Sequence, residues 1–157
     1  DYEILIIDDA SSPEISEANR QFFNKLSKVR YLVLAHNIGR AMMRNLLASE
    51  AKGQYFLSLD ADVHICKNDF LQSFWSQRQS GAVIIGGRKL APLQANCELR
   101  WHYAKQRESH SLENRREKPY SSFMTGAFFC ERSLFQKLNF DEDIKGYGHE
   151  DTLFGFN

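Results

Sequence analysis

Three observations predict an α/β fold, with a mostly parallel sheet flanked by helices. Short apolar, β-rich runs recur at Glu3–Ile7, Val29–Leu34, Tyr55–Leu59 and Val83–Ile85. Segments of helical length with their own start and stop signals lie between them, which is the alternation of βαβ units with right-handed crossovers. The runs also close on acids or glycines: Asp8-Asp9, Asp60-Ala61-Asp62 and Gly86-Gly87. Ligands of open α/β sheets bind beyond the carboxyl ends of strands, so these closing residues are the first candidates for a site.

Each element follows from local chemistry. The first run reads as a buried, parallel strand. Ser11-Ser12-Pro13 starts a helix with a serine cap, a proline in its first turn and acids at Glu14 and Glu17. Ile15, Phe22 and Leu26 share one face of it. Val29–Leu34 is the second strand. Asn37 and Gly39 mark a turn into a helix that runs to about Lys52 and stops at Gly53. Tyr55–Leu59 is the third strand. Asn68-Asp69 caps a helix through Gln79, and Val83–Ile85 is the fourth strand. From Leu90 to Pro119 the periodicity is lost, and this polar stretch reads as a long irregular insertion that orders over bound ligand. Ser121–Cys130 is a strand carrying Gly126, Arg132–Leu138 a short helix, Gly146–Asp151 a loop, and Glu150 onward the start of a helix.

Composition excludes several classes. The 157 residues form one domain, long enough to bury about two-thirds of the unfolded surface. Twenty basic and twenty acidic residues cancel, which argues against nucleic acid or an anionic membrane as partner. Arg115-Arg116 with Lys118 reads as a solvated loop. Cys66, Cys97 and Cys130 are odd in number and widely spaced, which suits reduced thiols in a cytoplasmic protein better than disulfides or a zinc site. No run approaches the ~20 apolar residues of a membrane span, and no signal peptide opens the chain.

Two acidic motifs carry the chemistry. As strand residues, Asp60 and Asp62 would point the same way, and two carboxylates with substrate phosphates are a common setting for Mg²⁺ or Mn²⁺. The bland alternative is an acidic turn. Asp9, at another strand end, can accept hydrogen bonds from a nucleobase or ribose; its alternative is a cap for the following helix. Arg40 and Arg44 share a helix face, and Arg44 can pair with a strand-end aspartate or a phosphate. Glu150-Asp151 enters a helix from a glycine-rich loop, where the helix N-terminus favours the anion. Such a carboxylate can accept a proton from a sugar hydroxyl, or simply cap the helix. Tyr147, between Gly146 and Gly148, can stack on a sugar ring. His149 fits a hydrogen-bonded loop histidine better than a ligand.

In this order, Ile6-Ile7-Asp8-Asp9-Ala10-Ser11-Ser12, Asn37-Ile38-Gly39 with Arg44-Asn45, Gly53 through Asp60-Ala61-Asp62, Gly126 and Gly146–Asp151 resemble family 2 glycosyltransferases of the GT-A fold. The closing Glu150-Asp151-Thr152-Leu153-Phe154-Gly155 looks like the acceptor-side motif of chondroitin-polymerase-type and β-1,4-galactosyltransferase-type enzymes. The resemblance implies a Rossmann-like nucleotide-binding sheet and an inverting, metal-dependent transfer from a nucleotide-sugar, a UDP-sugar, to a saccharide acceptor. It implies that Asp9 and Arg44 serve the nucleotide and that Asp60 and Asp62 serve the metal, with Asp60 nearer the ribose. Glu150 would then hold the acceptor and Asp151 act as base. It also implies a fragment of the GT-A domain, lacking the first strand at one end and a metal-shell histidine at the other. A non-catalytic nucleotide-sugar or carbohydrate-binding fragment is the competing expectation. A nucleotidyltransferase fits less well, since no glycine-rich, cationic phosphate loop opens the chain.

Overall fold

The computed structural model describes residues 1–87, 89–93, 96–120, 123–144 and 149–157. The first βαβ unit comprises β1 (Ile4–Asp8), α1 (Pro13–Phe23) and β2 (Val29–Val33). β1 and β2 pair in parallel, from Ile4 opposite Val29 to Asp8 opposite Val33. Next come α2 (Arg40–Glu50), β3 (Tyr55–Leu59), α3 (Phe70–Trp75) and a two-residue β4 (Ile84–Ile85). The chain then detours through α4 (Glu98–Arg107) and α5 (Leu112–Glu117) and returns as β5 (Ala127–Glu131), α6 (Arg132–Leu138) and α7 (Glu150–Phe156).

β5 lies between β3 and β4 and runs antiparallel to both. β3 and β4 therefore run parallel to one another, as the α3 crossover requires. Direct parallel pairing is confined, among the described residues, to β1 and β2. The reversal has a topological cause: β5 is reached by the helical detour and not by a crossover helix, so it re-enters the sheet from the opposite end.

That detour corrects the reading of Leu90–Pro119 as irregular. Two helices form there without an apolar stripe. α4 buries only Ala104, and α5 buries none of its residues. Polar contacts take the place of packing. Arg100 pairs with Glu108 at 2.9 Å, and the Ser111 hydroxyl accepts the Asn114 N–H at 3.3 Å as an N-cap. Arg115, expected in a solvated loop, donates to the Ile85 carbonyl at 3.0 Å and ties α5 to the end of β4.

The core is a set of phenylalanines around β5. Phe128 and Phe135 are fully buried, and Phe56, Phe123, Phe140 and Phe154 pack around them. Phe140 stacks on Phe154 with centroids 4.3 Å apart, and Phe128 on Phe135 at 5.8 Å. The opposite face of β5 is covered as well, by Phe129 against Tyr55 at 5.6 Å and Phe74 at 5.9 Å. Gly155 lets α7 approach closely: a Cβ there would lie 2.7 Å from Phe123 Cβ. The core thus seats α7, and with it the Glu150-Asp151 pair, against the start of β5.

α1 departs from its expected packing. Ile15 and Phe22 share a face but stay exposed, and Leu26, expected on the same face, lies past the helix end at Phe23 and is exposed as well. Ser12 occupies the N-cap position, yet its hydroxyl makes no capping bond. The helix starts instead on Pro13, whose fixed φ suits the first turn.

Candidate active site

Asp8 and Asp9 end β1 with different tasks. Asp8 is buried; its carboxylate accepts the Ser11 N–H at 2.7 Å and the Tyr31 hydroxyl at 2.5 Å. Burial acts to raise its pKa, but these hydrogen bonds outweigh it and hold the carboxyl below its ordinary value. Asp8, not Asp9, steadies the entry to α1. Asp9 spans the gap to the next unit: it accepts from the Ile38 N–H at 2.8 Å and the Gly39 N–H at 3.2 Å. Gly39 permits this turn with φ of +81°. Asp9 therefore braces the start of α2. An ionised carboxylate has about four acceptor positions, so these two bonds leave it capacity for a ligand.

Asp60 lies just past β3. The strand ends at Leu59, and Val63 N–H donates to the Asp60 carbonyl at 3.1 Å, so Asp60-Ala61-Asp62 is a turn. The same-face argument for strand residues does not hold there. The turn still leaves both carboxylates accessible, with Asp62 exposed and the Asp60 side chain 43% exposed. As a donor set, two hard carboxylates beside a strand end suit Mg²⁺ or Mn²⁺ completed by phosphate oxygens. Asp62 is the less encumbered of the two, because Asp60 Oδ1 accepts from Arg44 at 3.3 Å. Among the described residues, no group of three or more His, Cys, Asp or Glu gathers at one point.

Arg44 joins the two acidic motifs. It is buried on α2, with its guanidinium carbon 5.3 Å from the Phe140 ring centroid. One terminal nitrogen reaches Asp60, and the other lies 3.9 Å from Asp151 Oδ1 and makes no hydrogen bond. Of the two partners the sequence offered it, a strand-end aspartate or a phosphate, the structure shows the aspartate, Asp60, and adds Asp151 at the start of α7. One turn earlier, Arg40 forms an ion pair with Glu150, which is buried. Neighbouring arginines of one helix face thus grip neighbouring carboxylates of α7. Asn45 secures the same helix from below, exchanging bonds of 2.9 and 2.8 Å with the backbone of Phe140.

Asp151 sits in the first turn of α7, two-thirds buried. Its carboxylate accepts from the Thr125 hydroxyl at 3.0 Å and the Thr125 N–H at 3.3 Å. Burial raises its pKa above the ordinary aspartate value, against the opposing pull of Arg44 and Thr125. Thr125 is the residue the sequence reading passed over. Its signal was present: a lone hydroxyl in the run Phe123–Cys130 needs a buried partner. The next residue completes the bridge, since the Gly126 carbonyl accepts the Asp60 N–H at 3.1 Å. His149 is exposed at the N-cap of α7 with φ of +69°. Tyr147, with Gly146 and Gly148, lies outside the described residues.

These elements define an α/β domain whose carboxylates converge from two strand ends and a helix N-terminus onto one arginine-bearing helix. The chain belongs to glycosyl transferase family 2, whose sequence profile matches residues 1–138, and its mixed α/β architecture is the GT-A fold of that family. The Glu150-Asp151 motif lies beyond the matched stretch. Glycosyltransferase GlyG of Streptococcus pneumoniae serotype 4 (strain ATCC BAA-334 / TIGR4) is 31% identical over 86 residues. That match covers 54% of this chain and 28% of the relative's length. No described helix is long and apolar enough to cross a membrane.

Proposed function

We propose that this chain is the catalytic domain of an inverting glycosyltransferase, moving a sugar from a UDP-sugar to a hydroxyl of a saccharide acceptor. The observation that carries the reading is the span of Arg44, which brings a donor-side carboxylate, Asp60, and an acceptor-side carboxylate, Asp151, to one guanidinium. In this reading Asp9 meets the nucleobase. Asp60 and Asp62 hold Mn²⁺ or Mg²⁺, which when bound supplies positive charge beside the leaving diphosphate. Glu150 and Tyr147 hold the acceptor sugar, with Glu150 oriented by Arg40.

Asp151 is the general base. It accepts the proton of the acceptor hydroxyl while that oxygen bonds to the anomeric carbon and the bond from that carbon to the diphosphate breaks. Attack comes from the face opposite the leaving group, so configuration inverts. The raised pKa suits this task, because a partly desolvated carboxylate is a stronger proton acceptor than one in water.

The test is a donor screen with Mn²⁺ and UDP-, GDP- and dTDP-sugars against saccharide acceptors, reading release of nucleoside diphosphate. Acceptor-dependent release from a UDP-sugar is expected. Binding without release from any donor would favour the non-catalytic nucleotide-sugar-binding reading. Asp62→Asn is expected to abolish metal-dependent UDP binding in calorimetry while the fold persists. Unchanged affinity would remove Asp62 from the metal site.

A further inference from the structure

We propose that Thr125 is a positioning residue for the base, fixing the Asp151 carboxylate in the orientation that receives the acceptor's proton. The inference rests on the assignment of Asp151 as base and adds a residue that this assignment does not contain.

The geometry is specific. Thr125 is 2% exposed, so its hydroxyl has no access to bulk water and must find its partner inside the protein. That partner is Asp151, whose two carboxylate oxygens both lie 3.0 Å from Thr125 Oγ1. The backbone N–H of Thr125 adds a third contact at 3.3 Å. One residue therefore presents two donors to one carboxylate, fixing its position and the rotation about its terminal bond. α7 alone cannot do this, since a first-turn side chain keeps its rotamer freedom.

The backbone extends the argument to the donor side. Thr125 is followed by Gly126, whose carbonyl accepts the Asp60 N–H at 3.1 Å. Thr125-Gly126 is thus a two-residue strut with Asp151 on one end and Asp60 on the other, rooted in β5 and its buried phenylalanines. A shift of about 1 Å in the base would cost far more rate than stability, because proton transfer needs near-attack geometry. The other charged groups around Asp151 are Arg44 on α2, Asp60 through that arginine, and Glu150 on its own helix.

Two variants test the proposal. Thr125→Val keeps the shape and branching and deletes the hydroxyl; Thr125→Ser keeps the hydroxyl. Turnover at saturating donor and acceptor is expected to fall about 10- to 100-fold in Thr125→Val, the effect of losing one hydrogen bond to a charged group that acts in the transition state. Donor KM is expected to stay within about twofold, and the acid limb of the pH–rate profile to move upward. Thr125→Ser should restore most of the turnover and the limb. Carboxyl-carbon NMR of Asp151 in the ligand-free protein gives a readout that does not depend on turnover: its titration should move upward in Thr125→Val and return in Thr125→Ser. A merely structural threonine predicts lower thermal stability, activity that follows the folded fraction, and an unmoved titration; that outcome overturns the proposal. If Asp151→Asn also retains full activity, the base assignment fails with it. If Asp151→Asn is inactive while Thr125→Val keeps normal turnover and titration, only the role of Thr125 fails.

Discussion

The two ends of the fold bury their side chains to very different degrees. Among residues 1–40 the one buried residue is Asp8, an acid, and the apolar face of α1 stays in solvent. Around β5, by contrast, Phe128 and Phe135 are fully shielded and tilted ring contacts run from Phe56 through Phe135 to Phe154. Polar contacts hold the first half: Arg30 bridges Glu3 at 3.2 Å and Glu50 at 3.0 Å, and Asp9 braces the Ile38 and Gly39 amides. Dry aromatic packing holds the second. The division matches the proposed division of labour. Nucleotide recognition by Asp9 falls on the lightly packed half, where small adjustments cost little. The base and its support fall on the densely packed half, where position is enforced.

The largest expected effect is on stability. Phe128→Ala should cost about 3–5 kcal/mol, from lost burial and the cavity left behind. Phe22→Ala on α1 should stay within about 0.5 kcal/mol, since its ring is already in water. Urea unfolding of both variants decides it. Similar losses would mean that α1 is packed in solution and that the contrast does not hold.

The next effect is on rate. Asp151→Asn should lower turnover by at least ~10²-fold with donor affinity little changed, because the proposed base acts on the acceptor and not on the diphosphate. Glu150→Gln should act mainly on acceptor KM, and its burial against Arg40 adds a stability loss that Asp151→Asn need not share. Steady-state kinetics beside thermal melts of both variants separate the roles. Equal effects on rate and stability for the two would reduce the pair to a helix cap.

Packing and chemistry meet at Gly155. A Cβ there collides with Phe123, so Gly155→Ala should cost about 1–3 kcal/mol by overpacking and displace α7. Asp151 moves with that helix, so turnover measured per folded molecule should fall as well. An unchanged specific rate would show that the Asp151 position is set without the seat of α7.

Much of this was legible in the sequence for a physical reason: strands and helices that pack on a core carry their period. β1, β2, β3 and α2 fall close to where apolar runs, Gly39 and Gly53 place them. The acids at strand ends were legible because strand termini are where an α/β sheet exposes them. α4 and α5 were not legible, since helices held by ion pairs and a serine cap leave no apolar stripe. The reversal of β5 was hidden too, because a strand's direction depends on the path by which the chain returns. Thr125 was missed because its role exists only once α7 folds back across 26 residues of chain.

The smallest effect concerns pH, and it has opposite sign in the two halves. Hydrogen bonds hold the Asp8 pKa down, so the folded state favours its anion. That contribution is complete above the unfolded value, about 3.9, and is lost as pH falls through the lower folded value. Burial holds the Asp151 pKa up, so the folded state favours its neutral form. Between the unfolded value and the higher folded value the native protein keeps a proton that the unfolded chain has released, and stability falls as pH rises through that window. Above it, the ionised carboxylate is a constant cost. Asp8→Asn should therefore destabilise the protein at neutral pH and flatten its acid unfolding at the lowest pH. Asp151→Asn should be neutral or slightly stabilising at neutral pH, by about 1 kcal/mol or less, while turnover collapses. Urea unfolding of both variants and the parent from pH 3 to pH 8 reads the two signs directly. A loss of stability at neutral pH in Asp151→Asn equal to that in Asp8→Asn would mean that its anion is stabilised by folding. The aspartate proposed as base would then be a structural one, like Asp8.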